Sequence, residues 1–245
     1  MNQTIETYLN HRSIRNYMDK EIPTDILDAI IASAQAAPTS INGQQLSVIV
    51  VKNPETKKAL SVEAGDQVWI DQAPVFLVFV ADYHKAKLAA DKNSLPLIIT
   101  QDIESLMVAS VDVGIAMSNA IGAAESLGLG IVPIGGVRRN PQAIIDLLGL
   151  PEYVFPVVGL VVGYPAETSD KKPRLPLDTF VHHEKYNPEL KPQIDAYDDT
   201  VSKYMLERTN GESDRNWSSS VSGLYQSVYY PKVSPVSKSQ GFQGK

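Results

Sequence analysis

Apolar residues recur along this chain with two periods, and the alternation between them predicts its elements. Near the start, Ile5, Tyr8 and Leu9 form a short stripe of helical spacing that stops at the polar and basic run Asn10 to Arg15. A second helical stripe, Ile26, Leu27, Ile30, Ile31 and Ala34, follows Pro23, with Thr24 as its expected N-cap and Pro38 as its stop. The polar loop Thr39-Ser40-Ile41-Asn42-Gly43-Gln44 comes next. Leu46 to Val51 and Pro74 to Ala81 are short, nearly continuous apolar runs, which predicts strands covered on both faces, with a helix from Pro54 to Gly65 between them.

From Ile103 to Leu127 the chain is apolar but rich in Ala, Ser and Gly, with Leu106, Met107, Ser110, Val111, Gly114, Met117 and Ile121 spaced by threes and fours. This predicts a long, largely buried helix. Gly114, Ser118 and Gly122 permit close backbone approach, so a seam between two copies of the helix in a dimer is expected. Asp102, Glu104, Asp112 and Glu125 argue against a membrane span. Ile131 to Ile134 reads as a strand that ends in the glycine corner Gly135-Gly136 and leads to a helix from Pro141 to Leu148. Phe155 to Gly163 supplies another strand, and Lys171 to Pro176 is a basic loop that Pro173 and Pro176 hold extended. Beyond His182 the composition turns towards Tyr, Asn, Ser and Lys, with one amphipathic helix from Gln193 to Arg208. The expected organisation is a core, residues 1–182, and a helical extension, residues 183–245, that embraces a partner chain.

Composition narrows the chemistry. With 245 residues, 43% of them hydrophobic and 20% charged, the chain can bury a sizeable core. No uncharged apolar run reaches the ~20 residues of a bilayer span, and residues 1–12 lack the apolar stretch of an export signal, so a cytoplasmic protein is expected. A net charge of -6 without a basic tail excludes non-specific nucleic-acid binding as a role. The absence of cysteine excludes disulfides, thiolate catalysis and cysteine-held metal centres. His11, His84, His182 and His183 show no spacing that places two imidazoles on one helical face, so no metal site is expected.

Three segments stand out in this apolar background: His11 to Arg15, Ile134 to Val137, and Lys171 to Arg174. Arg12, Arg15, Lys172 and Arg174 are donors suited to a phosphate, each charge-assisted bond contributing roughly 1.5 to 3 kcal/mol. Successive glycines let a backbone approach a flat ring and present an amide to it. Taken alone, the same residues fit equally well a set of solvated surface cations and a tight turn. Ser13 beside His11 lacks the strand-turn-helix elbow of a hydrolase nucleophile, so a capping or phosphate-binding hydroxyl is the better reading. Adjacent His182 and His183 cannot readily converge on one ion.

The order of motifs decides between the two readings. Thr4-Ile5-Glu6 through His11-Arg12-Ser13-Ile14-Arg15, then Ala123 to Gly130, Ile134-Gly135-Gly136, Lys172-Pro173-Arg174-Leu175-Pro176, and Glu207-Arg208-Thr209-Asn210 with Trp217 resemble the nitroreductase superfamily, in its NADPH-type nitroreductase and flavin reductase branch. The similarity spans about residues 2–220. It implies an α+β fold with a central mixed or antiparallel sheet flanked by helices, and a homodimer with non-covalent FMN at the interface. By the same resemblance His11, Arg12 and Ser13, with Lys172 and Arg174, hold the phosphoribityl end. Arg15 and Gln67 face the pyrimidine edge, Ile134, Gly135 and Gly136 line the ring near its N5, and Thr39, Ser40 and Gln44 reach in from the other subunit.

Hydride chemistry belongs to the flavin, so no protein nucleophile is required. The implied activity is a ping-pong NAD(P)H oxidoreductase passing two electrons to a small-molecule acceptor such as a nitroaromatic, a quinone or free flavin. A flavin-storage protein with little turnover is the alternative. Arg208 matches a family arginine for the NADPH 2'-phosphate, but Glu212-Ser213-Asp214 stands where some members are basic, so NADH is expected to serve as well or better. Pro133 and Ile41-Asn42 also depart from the family pattern near the acceptor face, implying a different acceptor range.

Overall fold

The computed structural model describes residues 2–244. Its contacts divide the chain into two units: one runs up to Asp170 and takes in the segment from Tyr230 onward, and the other is Lys171–Tyr229. The boundary thus falls at Asp170 and not at residue 182, and the end of the chain belongs with the first unit.

The first unit is built on one four-stranded sheet of order β1-β2-β4-β3, in which β1 is Leu46–Val51, β2 Val75–Asp82, β3 Gly130–Ile134 and β4 Val154–Gly163. Every neighbouring pair is antiparallel. The helices of this unit are α1 (Gln3–Leu9), α2 (Thr24–Gln35), α3 (Pro54–Glu63), α4 (Val68–Gln72), α5 (His84–Lys92), α6 (Glu104–Ser126) and α7 (Pro141–Leu148). The second unit carries α8 (Lys191–Arg208) and α9 (Trp217–Leu224), and α10 (Val233–Ser239) returns to the first.

Strand β2 is buried along its whole length because both of its faces are covered. Val75, Leu77 and Phe79 point to a layer made by α2 and α6, whereas Phe76, Val78 and Val80 point to one made by α3, α4 and α7. Each such large side chain contributes roughly 1.5–3 kcal/mol of burial. Strand β1 departs from the expectation of cover on both faces. It is the sheet edge, and Val50 stays exposed.

In β4 the register with β2 slips between Phe79 and Val80, which pair with Val158 and Pro156 and leave Val157 unopposed. Gly159 follows, and a Cβ there would stand 2.3 Å from the Phe76 ring, so glycine is what lets that ring lie across the sheet.

Within the single chain, helix α6 turns part of its apolar stripe outward. Its buried side is the row of small residues Ser105, Ala109, Val113, Ala116, Ala120 and Ala124 with Asp112, while Met107 and Val111 are exposed. Small side chains allow α6 to lie close on α2 and β2, so the larger apolar residues fall on the outer face. At 23 residues with a mean hydropathy of 1.5, α6 is long and apolar enough to cross a membrane by length and composition. Its Asp112 and its packing in the first unit's core mark it as a core helix instead.

Thr24 is the first residue of α2 and not its cap, since Pro23 takes that place without a side-chain bond. Helices α4, α5, α9 and α10 are additions to the sequence reading. The last of these brings Phe242 against Tyr83 and Phe155 in a third, smaller cluster.

Candidate active site

The basic segment is stitched to the start of β3. Ile14 donates its amide to the Ile131 carbonyl at 2.9 Å, and Ser13 forms a parallel bridge to Ile131. Gly130 makes room for this, because a Cβ there would lie 2.6 Å from the Ile14 side chain. Tyr17 donates its hydroxyl to the Ile14 carbonyl at 2.7 Å, and burial holds that phenol well above its ordinary pKa, with Arg15 opposing in part. Met18 and Ala166 complete the attachment through backbone bonds to Tyr164 and Asn16. The segment is therefore fixed to the sheet edge.

Upon this base the side chains diverge. His11 Nδ1 meets Glu125 Oε1 of α6 at 2.6 Å. Arg12 and Glu125 line a cleft of about 440 Å³ with Gln3, Glu6 and Thr7 of α1, and the Nε of Arg12 is buried with no hydrogen-bond partner among the described residues. Arg15 lies over the Trp69 ring, 5.7 Å from its centroid. The indole nitrogen of Trp69 is likewise buried and unpartnered among the described residues.

Trp69 sits in α4, and Gln67 immediately precedes that helix. Gln67 Nε2 donates to the Ala64 carbonyl at 3.1 Å, and the Ser61 hydroxyl donates to the Gln67 carbonyl at 2.8 Å. The glycine corner enters the same place. Ile134 is fully buried at the end of β3, and Gly135–Arg138 forms a tight 3-10 turn. A Cβ on Gly136 would stand 2.2 Å from the Ala64 carbonyl oxygen and 2.7 Å from Gln67 Nε2. Only glycine fits there. Arg138 braces the corner by donating to the carbonyl of Val157, the unopposed residue of the β4 bulge, and it lies beside the Tyr230 ring. Bulges free a carbonyl in this way. Arg138 escaped the sequence reading because a bulge leaves no mark in an apolar run.

Thr39, Ser40 and Gln44 lie elsewhere on the first unit. Ser40–Asn42 is a single 3-10 turn whose Ser40 amide is held by Asp112, and the Gln44 amide donates to Thr39 Oγ1 at 3.3 Å. Asp112 and Glu125 stand thirteen positions apart along α6, a rise of roughly 20 Å. Within one chain this loop is accordingly remote from the His11 segment.

In the second unit, Tyr197 of α8 donates its hydroxyl to the Pro173 carbonyl at 2.9 Å and stacks edge-on to Trp217 at 5.9 Å. Burial raises the Tyr197 phenol pKa and the nearby Arg174 cation lowers it. Arg174 donates to the Lys172 carbonyl at 3.1 Å, which sets the curl of the basic loop. Asp198 accepts from the Ser218 amide at 2.8 Å and joins α8 to α9. Arg208 approaches the Tyr204 hydroxyl at 3.4 Å. Tyr197 is a supporting residue that the helical stripe contained but did not single out.

The donors and glycines present suit an anionic, planar cofactor. A buried guanidinium nitrogen without a partner among the described residues is what a phosphate needs. Among the described residues no cluster of His, Asp and Glu could hold a metal ion.

An antiparallel sheet clad on both faces by helices, with a basic segment tied to its edge and a glycine corner at the end of β3, defines an α+β fold with a candidate anion site. The chain belongs to the nitroreductase family: the model of that family matches residues 8–164, and the model of its C-terminal domain matches residues 172–245. The Bacillus subtilis (strain 168) protein named FMN reductase (NAD(P)H) is 52% identical over 246 residues, covering 99% of each chain. A solved structure of Bacillus megaterium NfrA2 superimposes with a TM-score of 0.99 at 53% identity over the whole of both chains. The NADPH:FMN oxidoreductase of Vibrio harveyi, solved in complex with NAD+, superimposes with a TM-score of 0.89 at 34% identity, again over both whole chains. The Bacillus subtilis and Vibrio harveyi relatives are named as a reductase and an oxidoreductase and not as flavin stores, which removes the storage alternative.

Proposed function

We infer that this protein is an FMN-dependent NAD(P)H oxidoreductase that works as a homodimer and passes two electrons to a small acceptor. The observation that carries this reading is that the basic segment tied to β3 holds a buried donor, Arg12 Nε, with no partner among the described residues, while Arg15 of the same segment lies over Trp69 next to Gln67 and the glycine corner. Relatives named as FMN reductases support it.

Bound FMN would supply the redox chemistry, taking a hydride from a nicotinamide and releasing two electrons to the acceptor. This chain's residues do the rest. Arg12 and Ser13 offer donors to the phosphate end, with His11 beside them in the segment; in the second unit, Lys172 and Arg174 are further cations suited to a phosphate. Ile134, Gly135 and Gly136 form a floor for the ring, and Gln67 and Arg15 bond its polar edge. Thr39, Ser40 and Gln44 act on the partner's cofactor, which accounts for their distance from His11 in their own chain. Arg208 binds the nicotinamide co-substrate, and Glu212 and Asp214 tilt its preference towards NADH.

The second copy covers the outer face of α6, where Met107, Val111 and Ile115 lie exposed one turn apart and a Cβ on Gly114 would meet nothing. Residues 183–229 embrace the partner with α8 and α9, and Phe180 and Tyr186, both exposed, belong to the same interface. The cytoplasm, where NAD(P)H is available, is the compartment that fits.

Incubation with FMN followed by desalting should leave a yellow protein that NADH or NADPH bleaches without oxygen and that a quinone re-oxidises. A colourless protein, or a yellow one that neither nicotinamide bleaches, overturns the reading. Sedimentation should find a dimer, and Val111→Asp should yield a monomer with weakened FMN binding.

A further inference from the structure

Asp112 is the one charged residue in the buried row of α6, 3% exposed. A carboxylate in such a place is costly unless its oxygens are bonded. Its bonds all go to one loop: the Ser40 amide reaches Oδ1 and Oδ2 at 3.3 and 3.2 Å, and Gln45 Nε2 reaches Oδ2 at 2.6 Å. A single side chain thus fastens both ends of the span from residue 40 to residue 45.

What lies between the two fastenings is strained. Ile41, Asn42 and Gln44 all have positive φ, at 50°, 56° and 50°, a region that β-branched Ile41 in particular avoids. The Ile41 side chain is 97% exposed, so its own core gains nothing from holding it there. Gln45 is buried and folds over Gly43, where a Cβ would stand 2.3 Å from Gln45 Oε1. The loop has been wound tight and aimed outward.

We propose that Asp112 is a positioning residue that holds the 40–45 loop, and Ile41 at its crest, in the shape required to cover the acceptor face of the partner subunit's flavin. The inference rests on the reading of that loop as a contributor to the partner's site. Since α6 also carries the proposed dimer seam on its opposite side, one helix would set both the approach of the two copies and the reach of the loop between their sites.

The test uses the full-length, FMN-loaded dimer and three variants. Asp112→Leu removes both acceptors and keeps the branched shape of the side chain. Gln45→Glu sets a second carboxylate against the first, and the pair Asp112→Asn with Gln45→Glu reverses the polarity of the contact and restores it. Amide hydrogen exchange at residues 40–45 should speed up in Asp112→Leu and Gln45→Glu and return to the wild-type rate in the double variant. The KM for a quinone acceptor should rise about fivefold or more and recover in step, a loss equivalent to one hydrogen bond.

If Asp112→Leu does not fold, Gln45→Glu and its rescue carry the test. Unchanged exchange in the variants that fold overturns the tether. Faster exchange with an unchanged acceptor KM overturns the link to the partner's site. Failure of the FMN reading itself is distinct, because the wild type would then not bleach.

Discussion

His11 Nδ1 and Glu125 Oε1 stand 2.6 Å apart and join the end of α1 to the last turn of α6 across 114 positions of sequence. A carboxylate only accepts, so Nδ1 must carry the hydrogen, which fixes the ring's orientation and turns Nε2 to the other side. Nitrogen chemical shifts of His11 should report Nδ1–H in the wild type and a mixture of tautomers in Glu125→Ala. The same variant should lose about 1 kcal/mol of stability in urea, the net value of one such bond. A single tautomer retained in Glu125→Ala would dissociate the ring's orientation from Glu125.

Arg12→Ala and Arg174→Ala should each weaken FMN binding about tenfold or more, the effect of losing a contact worth about 1.5 kcal/mol. Tyr197→Phe should weaken it less, since Tyr197 acts through the Pro173 carbonyl. Fluorescence titration of FMN measures all three. Unchanged affinity in both arginine variants would falsify their assignment to the phosphate.

Two glycine substitutions should separate stability from binding. Gly159→Ala drives a Cβ into the Phe76 ring and is expected to cost about 1–3 kcal/mol in chemical denaturation, partly recovered by Phe76→Leu. Gly136→Ala meets a backbone carbonyl and not a movable ring, so the corner itself must shift. FMN affinity should fall there by more than in Gly159→Ala, and equal losses in the two variants would count against the corner's role.

Alkaline pH should destabilise the protein through its buried phenols. Burial, then the charges of Asp112 and Glu104, push Tyr83 up to about 12, and burial raises Tyr17 further. Unfolded tyrosines lose their protons near pH 10, so above that the native state binds more protons than the unfolded one and stability falls as pH rises. The Tyr83 contribution is intact below pH 10 and lost by about pH 12. Tyr83→Phe should flatten that limb of the stability profile, and an unaltered slope would exclude Tyr83 as its source.

The strands and long helices were legible in the chain because their apolar periods are local. Helix α5 was not, since it buries none of its residues, and α4 spans too few for a period to emerge. The outward turn of Met107 and Val111 was hidden for a different reason. An apolar stripe says that a face seeks cover but not whether the cover lies in the same chain. At the site, His11 to Arg15 and Gly135-Gly136 could be picked out as anomalies of charge and size. The pairing of His11 with Glu125 and of Asp112 with Ser40 could not, because contacts between residues 114 and 72 positions apart leave no trace in spacing.

Phe242, 1% exposed, is wedged between Tyr83 and Phe155. Tyr83 follows β2 and Phe155 lies in β4, so the third cluster cannot close until synthesis has passed residue 242. Until then a nascent chain carries a finished sheet with an open apolar notch. Maturation of the first unit thus waits upon the second, whose residues must all be made before the segment that closes the first arrives.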